Sequence, residues 1–358
     1  MSKSSRRLMY AVSIVAVAAG ATIAVTVRDS AVQTSLAASP TKPIALHDYA
    51  VSVFAQSTAS YWNPDSLEIS GDRTWLFVGY QNTTAKDGSD GKSSTVVQYD
   101  LKDGHHVQQT WSVLGHVDGL RQDPSGGNLW VLSNEDGNPH LTVIDPVRGT
   151  KTVFSMTSVN GGGGFDDIAF IASNAFISAS NPANTSPNPG PAVVKATLNT
   201  ATHHVDTTPV LWGNASATDV TSDQTVSLNE IDPDSLYVLP GGVLQLDNQA
   251  GSELVFIHNP GTAQQTVSRL GIGNQQDDTI LPTAAKGVLF VADTSAGVIY
   301  RVQSDHFETS LYYSSAPNDS GVPGIVGTID PTDPNGGQVS PIIIGLNSPH
   351  GEAFLARS

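Results

Sequence analysis

The stretch PDSLYVLPGGVLQLDNQAG, residues 233–251, places two apolar runs on either side of a Pro-Gly-Gly turn. Its first four letters occur once more, at residues 64–67, and there too an apolar run, a turn and a second apolar run follow. Short apolar runs separated by Gly, Pro, Asn and Asp are typical of β-strands joined by tight turns. Two copies of the same arrangement indicate a repeated structural unit.

Three further stretches, residues 116–137, 165–181 and 277–297, repeat this order of strand, turn and strand. Stacking all the copies places one aspartate of each in a single column, namely Asp65, Asp118, Asp166, Asp234 and Asp278. The stretch SPHGEAFLA, residues 348–356, adds a looser last copy that is headed by His350. Most intervals between these residues are close to the roughly 40–50 residues expected of a four-stranded propeller blade, and the two longer intervals indicate insertions.

The repeat therefore predicts an all-β fold, a β-propeller of six blades, each a four-stranded antiparallel sheet. HDYAVSVFAQ, residues 47–56, is predicted to complete the last blade and close the ring. A count of five or seven blades remains open. A β-sandwich would account for the strands but not for the recurring aspartate at the start of each unit.

The first 45 residues differ from the rest. Residues 1–37 combine a basic start, an uncharged run over residues 8–27 and small residues near position 37, as an export signal peptide does. Because 20 apolar residues can also span a bilayer, a permanent N-terminal anchor is the alternative. Residues 38–45 are predicted to be a linker and residues 46–358 a single propeller domain. Both alternatives place the domain outside the cytoplasm: secreted, periplasmic or on the cell surface.

The composition limits the partners. The chain has 17 Lys and Arg against 33 Asp and Glu, a net charge of −16, and no cysteine. Disulfides and thiolate chemistry are therefore excluded. Because such an acidic surface repels the phosphates of nucleic acids and anionic lipids, we expect no nucleic-acid partner and no membrane contact beyond an N-terminal anchor. We expect a monomer that binds a small-molecule or extracellular ligand, and cations are its natural counterpart.

The aspartate column has a direct structural meaning in a propeller. The first strand of each blade lines the central channel, so equivalent residues face one another around the axis and the five aspartates form a ring. Like charges this close require protonation or a bound cation. Calcium is the predicted ion because it takes six to eight oxygen ligands, whereas zinc prefers imidazole or thiolate. The alternative is that each aspartate only accepts a backbone amide in an Asx-turn.

The segment DGLRQDPSGGNLWVLS, residues 118–133, and the segment KGVLFVADTSAGVIYRV, residues 286–302, carry a more specific likeness. The first resembles the inner-strand signature of the regucalcin/gluconolactonase family, and the second is similar to that family and to strictosidine-synthase-like propellers. The resemblance implies a six-bladed propeller with one divalent ion in the channel, for which Asp118 matches a metal-binding aspartate. The family's glutamate and asparagine ligands are not matched. At the position of the family's glutamate this sequence has Asp65, with Glu68 nearby. At the other ligand position it has Asp166 or Asp234.

Two functions follow from these features. The first is metal-dependent hydrolysis of a lactone or ester, with Asp118, His116 or His350 helping to activate water. The second is a propeller without catalysis that binds a protein or glycan through its loops.

The arrangement of the aspartates distinguishes these functions. Aspartates that converge below an open cleft would favour the enzyme. A mouth plugged by residues 181–191 or 213–230 would favour the binder. A quinone-dependent dehydrogenase would need basic residues near the channel, where the column offers acids.

Overall fold

The computed structural model describes residues 42–102, 106–317 and 324–357. Within these ranges the chain is almost entirely β, with one short 3₁₀ helix at Asn160–Gly162. No helix in the described part of the chain is long and apolar enough to cross a membrane. The predicted signal peptide or anchor, residues 1–37, lies outside the described residues. Of the predicted linker only residues 42–45 are described, and Ile44–Ala45 already form the first strand.

The strands are numbered along the chain. The first ten are β1 (Ile44–Ala45), β2 (Ala50–Gln56), β3 (Pro64–Ile69), β4 (Trp75–Tyr80), β5 (Ser93–Asp100), β6 (Val107–Leu114), β7 (Val117–Gln122), β8 (Leu129–Ser133), β9 (His140–Asp145) and β10 (Thr150–Ser155). The next ten are β11 (Phe165–Ile171), β12 (Asn174–Ala179), β13 (Pro191–Asn199), β14 (His204–Trp212), β15 (Ser216–Asp219), β16 (Thr225–Ser227), β17 (Pro233–Leu239), β18 (Val243–Asn248), β19 (Glu253–His258) and β20 (Thr266–Gly271). The last seven are β21 (Thr279–Ile280), β22 (Gly287–Asp293), β23 (Val298–Ser304), β24 (Tyr312–Ala316), β25 (Gly324–Ile329), β26 (Val339–Leu346) and β27 (Pro349–Ala356).

The first four blades are built from consecutive strands. Strands β3–β6, β7–β10, β11–β14 and β17–β20 each form four antiparallel strands in chain order, and one parallel pair, Ser155 with His204, joins the outer strands β10 and β14 of the second and third blades. The hairpin β15–β16 extends the outer edge of the fourth blade, where β15 pairs in parallel with β20. The insertion 213–230 is therefore attached at the outer edge of a blade.

The last two blades exchange strands. In the fifth blade the inner strand β21 pairs with β24, and β25, β26 and β1 follow outwards. In the sixth blade the inner strand is β27, which pairs with β22, and β23 and β2 complete the sheet. The chain thus leaves the fifth blade after one strand and returns to it later. The predicted closure of the last blade by residues 47–56 is confirmed, because β2 is its outer strand.

Six inner strands surround the channel. They contact one another in the cyclic order β3, β7, β11, β17, β21, β27 and back to β3. The predicted six-bladed propeller is thereby confirmed. The sequence did not reveal that the run over residues 287–293 pairs with the strand of His350 rather than with that of Asp278, which precedes it directly.

Burial decreases from the inside of each blade outwards. The second strands β8 and β22 are buried at every position, because the faces of each are covered by the adjacent blades. The outer strand β6 alternates buried and exposed side chains at its end, and β10 is exposed at all positions except Phe154. The hydrophobic core consequently lies between the blades, and the polar ends of the inner strands remain free to line the channel.

Candidate functional site

Each inner strand begins with the same backbone irregularity. In β3 the pairing with β4 shifts by one residue between Pro64 and Leu67, so that two residues of β3 stand opposite one of β4. The same β-bulge recurs in β7, β11, β17 and β27. Bulges bend a strand and re-aim its side chains. Here the bulge sets the residue that points to the mouth of the channel.

Six residues occupy the first position of these bulges. In blade order they are Asp65, Asp118, Asp166, Asp234, Asp277 and His350. The fifth member corrects the sequence alignment, which placed Asp278 in the column. Asp277 N–H donates to Ser315 O, and Ser315 N–H donates to Asp278 O, so both aspartates lie opposite one residue and Asp277 comes first. His350 completes the ring from the sixth blade.

The inner strands of adjacent blades approach closely at this level. Gly119 and Gly351 follow Asp118 and His350 in the bulges, and a Cβ added to either would overlap the carbonyl oxygen of a residue on the next blade. Those carbonyls belong to Asp166 and Asp65. Because only glycine permits this approach, the two bulges bring carboxylates of neighbouring blades together.

The column lines a cavity of about 420 Å³ at one end of the channel. Ten acidic side chains and two basic ones, Lys86 and Arg121, contribute to its wall. The loop 181–191 adds Pro182 and Asn184 to the wall and leaves the cavity between the blades in place. Asp278 also lines the cavity, so all five aspartates selected from the sequence meet there, as does His350.

Four of the column aspartates, Asp65, Asp118, Asp166 and Asp234, accept no backbone amide hydrogen bond within the part of the chain that the structure describes. Among the described residues, Asp65 accepts from Ser66 Oγ, Asp118 from Gln81 Nε2 and Asp166 from Ser180 Oγ. Asp234 has no hydrogen bond or ion pair within the same ranges. The Asx-turn interpretation therefore does not explain these four residues. The aspartate at the second position of the fifth bulge does accept a backbone amide: the N–H of Glu352 donates to Asp278 Oδ2 at 2.6 Å.

The electrostatics of the ring favour protonation or a bound cation. Burial raises the pKa of Asp118, Asp166 and Asp234 well above the usual range, and repulsion from neighbouring carboxylates acts in the same direction. Burial also raises the pKa of Asp65, while His350 and His116 oppose the shift. Four adjacent carboxylates thus hold protons more tightly than they would in water, and a cation would relieve the same repulsion.

Asp118 and Glu135 line one side of the cavity, and the buried side chain of His116, which is not part of the wall, offers a third ligand atom close to theirs. His116, Asp118 and Glu135 have ligand atoms that all lie within 4.8 Å of one another. His116 is 6% exposed, its Nδ1 lies 3.1 Å from Thr84 O, and its Nε2 has no hydrogen-bond partner among the described residues. Because a carbonyl only accepts, Nδ1 carries the proton and Nε2 presents a lone pair. A histidine held in this way is typical of metal ligands. Glu135 Oε1 forms an ion pair with Lys86 Nζ at 2.5 Å.

His350 is held in the same tautomer on the sixth blade. Its Nδ1 lies 2.9 Å from Ser348 O and 3.0 Å from Thr294 Oγ1, so Nδ1–H donates and Nε2 is left as the basic atom. Nε2 lies 3.6 Å from Asp277 Oδ2. Asp65 stands between the two histidines in blade order. The site therefore has two imidazole Nε2 atoms with available lone pairs, that of His350 on the cavity wall and that of His116 beside Asp118 and Glu135.

Arg121 closes the channel below the cavity. Its guanidinium donates to Asp167 Oδ2 at 2.8 Å and to the carbonyls of Leu67 and Leu236, both at 3.2 Å. Glu68 Oε2 lies 3.7 Å from Arg121 Nη1. One side chain of the second blade thus joins the first, third and fourth blades. A second chamber of about 340 Å³, which Glu68 and Tyr237 line, lies on the other side of Arg121. Glu68, a suggested ligand beside Asp65, is consequently separated from the column.

Sequence reasoning missed Glu135, Asp277 and Lys86. Glu135 follows the second strand of its blade in the loop Asn-Glu-Asp-Gly, and only the fold brings that loop over the inner strand. The acidic loop itself was the available signal.

The chain is a six-bladed β-propeller whose channel is closed by an arginine and lined with carboxylates at one mouth. No family model matches the sequence, and no curated protein matches it. Solved structures of similar fold include a protein of unknown function from Bacteroides caccae, with 10% identity, 83% of this chain and 88% of that chain covered, and a TM-score of 0.48. A putative 6-phosphogluconolactonase from Bacteroides uniformis ATCC 8492 has 11% identity, coverages of 84% and 90%, and a TM-score of 0.48.

Virginiamycin B lyase from Staphylococcus aureus is also similar, with 8% identity, coverages of 72% and 99%, and a TM-score of 0.46. Likenesses at this level carry no argument about activity. The strand pairing establishes the fold, and the site must be interpreted from its own residues.

Proposed function

We propose that His116, Asp118 and Glu135 bind a divalent metal ion and that this centre hydrolyses a small ester or lactone outside the cytoplasm. The observation that carries the proposal is the unpartnered Nε2 of buried His116 beside two carboxylates. A buried polar atom without a partner costs free energy unless a ligand satisfies it. Calcium suits the carboxylates, but an imidazole nitrogen is a better ligand for manganese or zinc.

Different side chains of the site carry out the separate steps of the proposed hydrolysis. A metal ion at this position would polarise the substrate carbonyl. His350 Nε2 takes a proton from the attacking water, whose oxygen adds to the carbonyl carbon. The bond to the alkoxy oxygen then breaks, and His350 returns the proton to the leaving alkoxide. Asp277 stabilises the imidazolium that forms in between, because its Oδ2 lies 3.6 Å from Nε2. Arg121 closes the channel beneath and limits the entry of water from below.

The test begins with metal analysis of the purified domain, followed by chelation and titration with calcium, manganese and zinc. We expect about one equivalent of one ion, and at least a tenfold loss of affinity in His116→Ala and Glu135→Gln. His306→Ala, an exposed histidine, is the matched control and should bind normally. A screen of esters and lactones with the loaded protein should find an activity that His350→Ala removes while it keeps the metal.

Two outcomes would contradict the proposal in different ways. If the protein binds none of the three ions, the proposed metal centre is ruled out. A protein that binds an ion through His116 but hydrolyses nothing would favour the alternative function, a propeller that binds a protein or glycan around a structural ion.

A further inference from the structure

A second cavity lies on the other side of Arg121 from the acidic column. It has a volume of about 340 Å³, and we call it the lower chamber. Pro124 and Thr283 on its wall are exposed, so the chamber opens at the surface of the protein. Most of the remaining wall is apolar or aromatic, and small-molecule sites combine such a wall with a few polar groups. The lower chamber therefore has the form of a second ligand site.

One residue of this wall, Glu352, breaks the pattern of the inner strands. It is the third residue counted from the first position of the bulge in β27, where His350 is the first. The residues at the same place in the other five blades are Leu67, Leu120, Ile168, Leu236 and Thr279, and all six are buried. Four blades thus place a hydrocarbon side chain where the sixth places a carboxyl group. Because burial of an unpaired carboxyl group costs free energy, packing does not explain this residue.

The carboxyl group of Glu352 has no hydrogen-bond partner in the described part of the chain. Glu352 is 2% exposed, and both Oε1 and Oε2 are without a partner there. Its backbone N–H donates to Asp278 Oδ2, which places a second carboxyl group beside it. Burial raises the pKa of Glu352 well above the usual range, and repulsion from Asp278, Asp247 and Asp277 acts in the same direction. A bound donor with a positive charge would offset both costs.

The other charged groups of the wall are already engaged. Glu68 Oε1 accepts the N–H of Gln122 at 3.1 Å, and Arg121 Nη2 donates to Asp167 Oδ2 at 2.8 Å. A ligand that binds Glu352 displaces no described partner, whereas a ligand on Glu68 or Arg121 would compete with an existing contact. Glu352 is consequently the charged group of the lower chamber that is best placed to hold a ligand.

An aromatic surface lies next to Glu352 on the same side of its blade. From Glu352 onwards β27 pairs with β22 without a shift, so the side chains of Glu352 and Phe354 point the same way. Their Cα atoms are about 7 Å apart, twice the rise of a strand. Phe354, Phe170 and Tyr237 all line the lower chamber and are partly exposed. Aromatic rings attract cations as well as apolar groups.

We propose that the lower chamber binds a small aromatic amine, whose ammonium group lies on Glu352 and whose ring packs against Phe354. An ammonium group supplies both the donors and the positive charge that Glu352 lacks. An alcohol of the same shape supplies one donor and no charge, and a carboxylate would add a negative charge beside Asp278. The site is separate from the metal centre, and the inference does not depend on the proposed hydrolysis.

The probes are 2-phenylethylamine, 2-phenylethanol and phenylacetate, which share an aromatic ring and are positive, neutral and negative at neutral pH. Calorimetric titration should give the amine about tenfold tighter binding than the alcohol, or more, and no binding of phenylacetate. His116→Ala should bind the amine as the unchanged protein does, because His116 belongs to the site on the other side of Arg121.

Two substitutions test Glu352 itself. Glu352→Gln keeps the shape and removes the charge, and it should weaken the amine about tenfold or more while leaving the alcohol nearly unchanged. Glu352→Leu introduces the side chain found at this place in three other blades. It should remove the preference for the amine, and the protein should unfold at the same or a higher urea concentration. Glu308→Gln, exposed and outside the chamber wall, is the matched control.

Equal affinities for the amine and the alcohol, or amine binding that persists in both Glu352 variants, would overturn the proposal. An equal loss in Glu308→Gln would show general attraction to an acidic surface and would overturn it as well. If Glu352→Leu does not fold, Glu352→Gln decides, because an amide has nearly the shape of a protonated carboxyl group.

Discussion

Arg121 shows how strongly a single side chain can connect the blades of a propeller. Each blade buries its apolar surface against its neighbours, whereas the cavity at the mouth of the channel is lined mainly by polar groups. The guanidinium reaches acceptors on three other blades, and its planar set of donors suits several acceptors at once. Asp167 and Glu68 are its carboxylate partners, and burial raises the pKa of Glu68 from about 4.5 to about 7 even with the arginine present.

Replacing Arg121 should therefore destabilise the whole domain. In Arg121→Met the carboxylates of Asp167 and Glu68 lose their counter-charge inside the channel, and the free energy of unfolding should fall by about 3–5 kcal/mol. Urea denaturation measures it. Arg148→Ala is the matched control, since that arginine is 80% exposed beside Asp145 and should change stability by less than about 1 kcal/mol. Equal stability of the two variants would show that Arg121 does not hold the ring together.

At the scale of single residues the sequence predicted much of the site. The repeat identified four members of the acidic column directly, and His350 as the head of the last unit. It misassigned the fifth aspartate because Asp277 and Asp278 are adjacent and identical in type. Only the position of the bulge decides which of them comes first. Glu135 escaped prediction because its loop approaches the inner strand through the fold and not through sequence spacing.

At the scale of elements, β2 closes the ring by packing as well as by pairing. Phe54 is 6% exposed and lies edge-on to Phe290 of its own blade at 5.0 Å and to Tyr99 of the first blade at 5.7 Å between ring centroids. The aromatic contacts thus connect the sixth blade to the first, where the ring must close. Edge-to-face pairs of this kind add to the free energy of burial.

Phe54→Ala should weaken this closure strongly. Removal of a buried phenylalanine costs about 3–5 kcal/mol in free energy of unfolding, and the melting temperature should fall with it. Val53→Ala on the same strand is the control, because Val53 is 49% exposed and should change little. If thermal melts of the two variants coincide, the closure does not depend on the contacts of Phe54.

The exchange of strands between the last two blades could not be predicted from local pattern. The run over residues 287–293 has the composition of a second strand, and the nearest preceding inner strand is β21. Nothing in either segment records that β27, further along the chain, is the actual partner. The periodicity defines strands and their burial, whereas the choice among similar partners depends on packing over the whole ring.

At the scale of the molecule, the acidic channel should make stability depend on pH. Glu68, Asp118, Asp166 and Asp234 have raised pKa values, so between about pH 4.5 and 7 the folded protein keeps protons that the unfolded chain has lost. Stability therefore falls as pH rises through this window. Glu68 alone could account for about 3 kcal/mol at most.

The metal-free domain should accordingly unfold at a higher temperature at pH 5.5 than at pH 8. Glu68→Gln should reduce this difference, because an amide has no proton to lose. Calorimetric melts in buffers of equal ionic strength measure both. A melting temperature that is constant, or that rises towards pH 8, would mean that the channel carboxylates are compensated by groups other than protons.

The exchanged strands also separate the order of synthesis from the order of assembly. Blades one to four each receive their four strands in succession, so each can form while the next is being made. The fifth and sixth blades cannot, because β22 and β23 are made before their inner partner β27, and β2 precedes β23 by the length of almost the whole ring. The strands nearest the start of the ring, β1 and β2, can therefore pair only after β26 and β23 have been synthesised. Ring closure is a late event that requires the complete set of blades, and an interrupted chain cannot form it.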